Sequence, residues 1–400
     1  MLKGKTVLLG VTASIAAYKT CNLARMLTKL GADVYVAMTP NSLNFVHPLT
    51  FETLTQHKCL IDSFDRNFEY CVQHVSIAKK ADVVMIAPAT ANVIGKIAGG
   101  IADDMLTTTV MAATCKKIIA PAMNHNMYHN PIVQENIEKL RSHGYEIVEP
   151  VKGMLANRDI GDGKLPDEET LLEYILREAA FEKDLTGKKI LITAGATRES
   201  IDPVRFITNH SSGKMGFALA RAAMLRGAEV TVVAAHTDVD PPMFVDVIPV
   251  QSAEDMFNAV KKRSEQQDII IKAAAVADYT PAVTADSKIK KSDGDMTIPL
   301  KRTADILSFI GHNKNERQVI CGFSMETDNV IENSRKKLAS KNADMICANS
   351  LKTAGAGFGT DTNIITLITE SGDEELDIMS KFDAANLILT RLKKIQEEKL

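Results

Sequence analysis

Three stretches of this chain carry side chains suited to chemistry on small anionic molecules. The first is Pro121-Ala-Met-Asn124-His-Asn-Met127-Tyr128, two amides among methionines and a tyrosine, just after a short apolar run. An amide there can orient a carboxylate without adding charge, and a turn padded with methionine is the plainer alternative. The second runs from Thr193 to Gly216 and includes Arg198, Asp202, Arg205, Asn209 and Ser211-Ser212-Gly213-Lys214. Ser-Ser-Gly opening a helix offers hydroxyls and bare N–H groups to an anion. Met215 follows Lys214, so this is not the G-K-[ST] of a P-loop. The third is Ala273-Ala274-Ala-Val-Ala-Asp278-Tyr279, a buried strand ending in a carboxylate, with Lys288-Ile-Lys290-Lys291 soon after. The carboxylate suits a ribose or a metal. A lysine cluster is usually a solvated face, but after such an Asp it becomes a candidate for triphosphate binding. His74 is a candidate base, although a lone histidine is more often structural. Thr12 and Ser14, after Gly10, suit one phosphate at a helix N-terminus, with a simple helix cap as the alternative.

The elements that must position these groups begin twice. Leu2 to Gly10 reads LKGKTVLLG and Leu185 to Gly195 reads LTGKKILITAG. Each leads to a matched second segment, Gly31-Ala-Asp-Val-Tyr-Val and Gly227-Ala-Glu-Val-Thr-Val. This is the grammar of buried strand, crossover helix and buried strand, so the expected class is α/β with two Rossmann-like three-layer domains. Gly4 and Gly31 are 27 residues apart, Gly187 and Gly227 are 40 apart, and the extra 13 lie within Thr197 to His210. Ligands sit at the carboxyl ends of strands in open α/β sheets, so the second half has an enlarged loop where a ligand belongs. In the first half strands are expected at 6–10, 34–38, 81–87 and 117–120. A helix is expected from Ser14, as its N-cap, to Leu30. In the second half strands are expected at 189–193, 229–234, 268–272, 317–321 and 343–347. An antiparallel pair follows near 363–369 and 374–378, then a helix capped by Ser380. The boundaries read 1–180, a linker at 181–188, and 189–400.

Composition bounds the function. The net charge of −3 over 400 residues argues against a nucleic-acid footprint but leaves room for a small anionic ligand. None of the six cysteines forms a C-x-x-C pair, and their mostly apolar neighbours suggest free thiols and a cytoplasmic protein. No membrane span or signal peptide is expected.

The first-half segments GVTASIAAYK, His74, Ala87-Pro88-Ala89-Thr90-Ala-Asn92, Gly100-Ile-Ala-Asp-Asp104 and PAMNHNMY resemble the flavin-dependent cysteine decarboxylases across residues 1–180. The resemblance implies a flavodoxin-like, FMN-binding fold that forms trimers. It makes His74 the active-site base and Asn124 the holder of the substrate carboxylate, with Met127 beside the substrate. Gly10, Thr12, Ser14, Met38, Thr39 and Ala87 to Asn92 would line FMN. In that family, flavin oxidation of the thiol carbon creates the electron sink that loss of CO2 requires. One departure is Leu155-Ala156-Asn157-Arg158, where Asn157 stands in place of the family's proton-donor cysteine. Either another donor completes the cycle, or the half stalls at an unsaturated product. A half serving as a flavin-binding regulatory or scaffold domain is the further alternative.

The second-half segments TAGATRESIDPVRFITNHSSGKMGFALA, AAAVADY, KIKK, Gly322-Phe323-Ser-Met-Glu-Thr327 and Ala348-Asn349 resemble the phosphopantothenate–cysteine ligases. Both halves in this order resemble the bifunctional coenzyme A biosynthesis proteins of bacteria. The resemblance implies that phosphopantothenate attacks CTP to give an acyl cytidylate, which cysteine then captures. Asn209 would hold the carboxylate and Lys288 the developing phosphate charge. Arg205, Ser211, Ser212 and Gly213 would bind substrate. Ala273, Ala274, Asp278, Ala304, Asp305, Ile306, Leu307, Phe323, Lys337 and Lys341 would serve CTP, with Mg2+ held mainly through its phosphates. Thr303 before Ala304-Asp305 is a minor departure. Dimeric ligase and trimeric flavin domains together allow a dodecamer. A nicotinamide oxidoreductase is disfavoured, since neither first strand leads to G-x-G-x-x-G.

Overall fold

The computed structural model describes residues 1–63, 73–154, 160–291, 295–326, 328–350 and 361–399. The chain divides into two compact units, Met1–Glu182 and Lys183–Leu400.

In the first unit, β1 (Thr6–Val11), β2 (Asp33–Met38), β3 (Val83–Ala89), β4 (Lys116–Pro121) and β5 (Glu146–Ile147) form one parallel sheet in the order β2-β1-β3-β4-β5. This is the doubly wound order with its switch point between β1 and β3. Every residue of β1 and β3 is buried, which is why both read as continuous apolar runs. Helices cover the sheet, and Leu8, Ile86, Ile94, Leu106 and Ile119 share one core. Ser14 does not cap the first helix, which runs Ala17–Lys29 behind Ala16; the Ser14 hydroxyl instead accepts from the Ala16 N–H at 3.3 Å within the preceding turn. Gly31 ends that helix at φ +87°, the left-handed position glycine tolerates. A hairpin of β6 (Val151–Met154) and β7 (Ile160–Lys164) follows the sheet.

In the second unit, β8 (Lys189–Ala194) leads to a small antiparallel pair, β9 (Arg198–Ser200) and β10 (Phe206–Thr208). Then come β11 (Glu229–Ala234), β12 (Asp246–Pro249), β13 (Ile269–Lys272), and a second pair, β14 (Tyr279–Pro281) with β15 (Leu300–Arg302). The chain continues with β16 (Val319–Glu326), β17 (Met345–Ser350), β18 (Thr362–Asn363), β19 (Thr366–Thr369) and β20 (Gly372–Glu375). Eight of these form one sheet in the order β12-β11-β8-β13-β16-β17-β19-β20, parallel except for the last two junctions. The strand pair expected near 363–378 is therefore an antiparallel extension of the sheet edge. Ser380 caps the final helix, Lys381–Lys399, by accepting from the Asp383 N–H at 3.1 Å. The segment read as a linker packs into this unit: Leu185 is fully buried, and Asp184 meets Arg226 at 2.7 Å.

The enlarged loop carries β9 and β10. Its entry needs Gly195, at φ +81°, because a Cβ there would stand 2.3 Å from the His236 carbonyl oxygen.

Candidate functional site

Each unit opens a cleft at the carboxyl ends of its parallel strands, where doubly wound sheets bind ligands. In the first unit, a cavity of 590 Å³ is lined by Ser14, Lys19, Thr90, Asn124, Met127, Met154 and Lys164, among others. Its lining includes the segments that follow β1, β3 and β4. Thr12, fully buried, donates to the Pro88 carbonyl at 2.7 Å and accepts from the Thr90 N–H at 3.1 Å. The peptide between Ala87 and Pro88 is cis. Thr90 then caps the helix Ala91–Ala98 by accepting from Val93 N–H. Thr12→Val would leave a buried N–H and a buried carbonyl without partners, each worth about 1 kcal/mol or more. We expect this variant to lower the first unit's unfolding midpoint and to release bound flavin. Both are readable by denaturation and visible absorbance.

Asn124 caps the short helix His125–Tyr128, its Oδ1 accepting from the Asn126 N–H at 2.9 Å. That leaves its Nδ2 donors without a partner among the described residues, in the wall of the cleft. Hairpin strand β7 closes over this loop. Met123 N–H donates to the Gly163 carbonyl at 3.0 Å, and Lys19 holds the carbonyls of Leu165 and Pro166 at 3.2 and 3.1 Å. Lys19, Met154 and Lys164 were not singled out from the sequence; Lys19 does lie in the first turn of the helix Ala17–Lys29, just after the turn bearing Ser14.

The remaining first-half residues fall into two groups. Gly10, Met38, Thr39, Ala87, Pro88 and Ala89 are buried at the strand ends, outside the cavity lining. Thr39 Oγ1 is a buried polar atom with no partner among the described residues, and it stands at the end of β2 on the edge where a flavin would lie. That orphaned hydroxyl and the shaped cleft fit a bound flavin. Asn92 is exposed, and His74, on the helix Gln73–Lys80, is not among the residues lining the Asn124 cleft. Asn157 lies outside the described residues.

In the second unit, two cavities of 240 and 350 Å³ share Lys272, Val276, Asp278 and Lys337. The first is lined by Ser211, Ser212, Gly213, Ala273, Ala274, Phe323 and Asn349; the second by Ala304, Asp305, Ile306, Leu307 and Lys341. The structure thus gathers several separated sequence segments around Asp278, whose side-chain carboxylate makes no hydrogen bond or ion pair among the described residues.

The helix Lys214–Leu225 starts behind Gly213, at φ +77°, with no side-chain cap, so its first N–H groups face the cavity. Cations surround the same space. Lys214 pairs with Asp361 at 2.7 Å, Lys341 pairs with Asp305 at 2.8 Å, and Lys337 donates to the Phe323 carbonyl at 3.1 Å. Lys341 and backbone donors hold the Asp305 carboxyl below its usual range against the opposing effect of burial.

Lys272 was missed from the sequence. It closes the otherwise apolar β13, and it touches both cavities. Burial and the Lys337 ammonium push its amine down to about 8, with Asp305 and Asp278 opposing. A charged residue ending a run of isoleucines was the available signal. Asn349 was quoted only within a motif; its buried Oδ1 has no partner among the described residues, and the residue lines the first cavity.

Asn209, Arg205 and Lys288 do not line either cavity. Asn209 sits beside the rim, its Nδ2 donating to the Ala275 carbonyl at 3.3 Å. Arg205 grips buried Asp202 at 2.5 Å and donates to the Ile289 carbonyl at 3.0 Å. Asp202 also accepts from the Ile289 N–H at 3.1 Å, so the pair pins the segment bearing Lys288. Arg205, with these backbone donors, holds the Asp202 carboxyl far below its usual range.

Comparison with known proteins finds relatives for both units. A family model described as Flavoprotein matches residues 1–180. One described as DNA/pantothenate metabolism flavoprotein C-terminal domain matches residues 185–395. The coenzyme A biosynthesis bifunctional protein CoaBC of Bacillus subtilis (strain 168) is 48% identical over 402 residues, spanning 100% of this chain and 99% of that protein. Its counterpart from Escherichia coli (strain K12) is 40% identical over 401 residues, spanning 100% and 99%. The crystal structure of the C-terminal domain of such a protein is 43% identical, covering 54% of this chain and 98% of that one, with a TM-score of 0.46. The chain belongs to the family of bifunctional coenzyme A biosynthesis enzymes, which join a flavoprotein decarboxylase to a ligase in one polypeptide.

Proposed function

We propose that residues 189–400 join 4′-phosphopantothenate to cysteine at the expense of CTP, and that residues 1–180 decarboxylate the product to 4′-phosphopantetheine with FMN. The observation that carries this reading is the second unit's cleft, where an uncapped helix N-terminus and lysines from several segments surround the Asp278 carboxylate, which is unpaired among the described residues. Such a site suits a triphosphate with its Mg2+, the ion held mainly by phosphates and water beside Asp278. Asn349 Oδ1, an acceptor without a partner among the described residues, suits an amine or hydroxyl of the nucleoside. The substrate carboxylate attacks the α-phosphorus, the bond to pyrophosphate breaks, and the cysteine amine then displaces CMP to form the amide. Asn209 is proposed to hold the acyl group at the rim. Lys288, on the segment fixed by Arg205 and Asp202, is proposed to neutralise charge on the α-phosphate.

In the first unit, Asn124 offers its free amide to the substrate carboxylate, and β7 with Met127 covers the cleft from water. What FMN supplies there when bound is reversible acceptance of two electrons from the thiol-bearing carbon. His74 lies outside this chain's own Asn124 cleft, so a base at His74 would serve a neighbouring copy. That fits trimeric flavin units, as do the exposed Ile15, Tyr18, Met154 and Ile160 on elements bordering the cleft. Among the described residues no helix is long and apolar enough to cross a membrane.

The deciding experiment is the mass of the product formed from phosphopantothenate, cysteine and CTP. Pyrophosphate release that needs all three supports the ligase. Loss of CO2 alone supports a complete decarboxylase cycle despite Asn157. Loss of CO2 and two hydrogens, with the flavin left reduced, rejects it.

A further inference from the structure

Three metal-binding side chains converge outside the residues assigned to catalysis. His125 opens the short helix after β4 and His129 is its C-cap, one turn on, and Asp162 faces them from β7. One ligand atom from each lies within 4.8 Å of the others. His129 Nε2 is 3.1 Å from Asp162 Oδ2, and His125 Nδ1 is 4.0 Å from the same oxygen. Ligands about 2.0–2.2 Å from a tetrahedral zinc stand roughly 3.3 Å apart, which these two distances bracket. We propose that His125, His129 and Asp162 bind a divalent transition cation of the zinc class, which staples the Asn124 loop to hairpin strand β7.

The packing favours a built site over a chance surface cluster. The two imidazole rings meet edge to face at 4.4 Å between centroids. Gly161 makes room for them, since a Cβ there would come within 2.8 Å of the His125 ring. The Asp162 N–H donates to His125 Nδ1 at 3.1 Å, which fixes that ring with its lone pair toward the strand. A cation takes over this lone pair. Two imidazole nitrogens and one carboxylate oxygen are a donor set that suits a borderline cation. All three groups are partly exposed, so an ion can enter and a water can fill the fourth position. The ligands straddle Met123 to Gly163, the backbone contact that already joins the loop to the hairpin beside the cleft. A bound cation therefore restrains the cover of that cleft.

Calorimetric titration of the full, tag-free chain with Zn2+ tests this, with no flavin chemistry or substrate involved. The expected result is one Zn2+ per chain, with affinity reduced roughly tenfold or more in both His129→Ala and the near-isosteric Asp162→Asn. Hydrogen exchange in 151–154 and 160–164 should slow on adding Zn2+ to the wild type and not to the variants, whose retained flavin absorbance reports folding. Equal Zn2+ affinity in wild type and both variants, as binding at cysteines would give, overturns the proposal. So does Zn2+ binding that leaves hairpin exchange unchanged.

Discussion

Asn124→Asp is expected to lose decarboxylase kcat/KM by about two orders of magnitude while keeping its flavin and its fold. The substitution isolates one function of the side chain. Asn124 Oδ1 caps the helix His125–Tyr128 by accepting from Asn126 N–H, and an aspartate oxygen does the same with added charge at a helix N-terminus. The change falls on the other atom. Nδ2, which has no partner among the described residues and lies in the cleft wall, becomes a second carboxylate oxygen. It would face the substrate carboxylate instead of donating to it. A like-charge juxtaposition in a partly desolvated site costs several kcal/mol, and about 2.7 kcal/mol already gives a hundredfold. Steady-state kinetics on phosphopantothenoylcysteine, with thermal unfolding alongside, separate the two roles. Turnover within a few fold of wild type would show that Asn124 is only a helix cap.

The parts legible in the sequence were those set by local pattern. Val34 to Met38 and Glu229–Ala234 are short apolar runs behind a glycine that ends a helix, and both are strands. The switch-point loops were legible for the same reason, since each follows a fully buried strand. What escaped depends on contacts, near or distant in sequence, that the residue pattern does not display. Strands β6 and β7 contain glycines and charges with no clear alternation, and they are held in place by Lys19 and Met123, far back in the chain. Ser14 looked like a helix cap, yet its hydroxyl turns to Ala16 and the helix begins later. Arg205 reads as a free cation for an anionic ligand until the fold brings Asp202 and Ile289 to it. Lys272 reads as the polar end of a strand. Only the neighbouring segments 303–307 and 323–337 make it the shared wall of two cavities.

Lys272→Met should make the ligand-free second unit more stable at pH 7 and CTP use much poorer. The wild-type amine is pushed down to about 8 by burial and by Lys337, whereas in the unfolded chain it titrates near ~10.4. Between those values the unfolded state binds more protons, so wild-type stability rises with pH from about 8 to about 10.4. Below pH 8 the full penalty is present, on the order of 3 kcal/mol. Methionine fills similar space without charge, so the variant's advantage should be largest at neutral pH and vanish above about 10.5. A triphosphate reverses the balance. Its anionic oxygens favour the ammonium, so CTP binding at pH 8.5 should draw a proton from solution, seen as buffer-dependent calorimetric heats. Losing a charge-assisted contact of about 1.5–3 kcal/mol predicts a ten- to hundredfold rise in KM for CTP. Lys337, Asp278 and Asp305 remain to hold the site's shape, so phosphopantothenate and cysteine dependence should change less. A variant that is less stable than wild type at pH 7 would mean that the amine is well solvated. One that binds CTP normally would remove Lys272 from the nucleotide site. Stability gained together with CTP affinity lost would show that this strand end keeps an unfavourable charge because the nucleotide requires it.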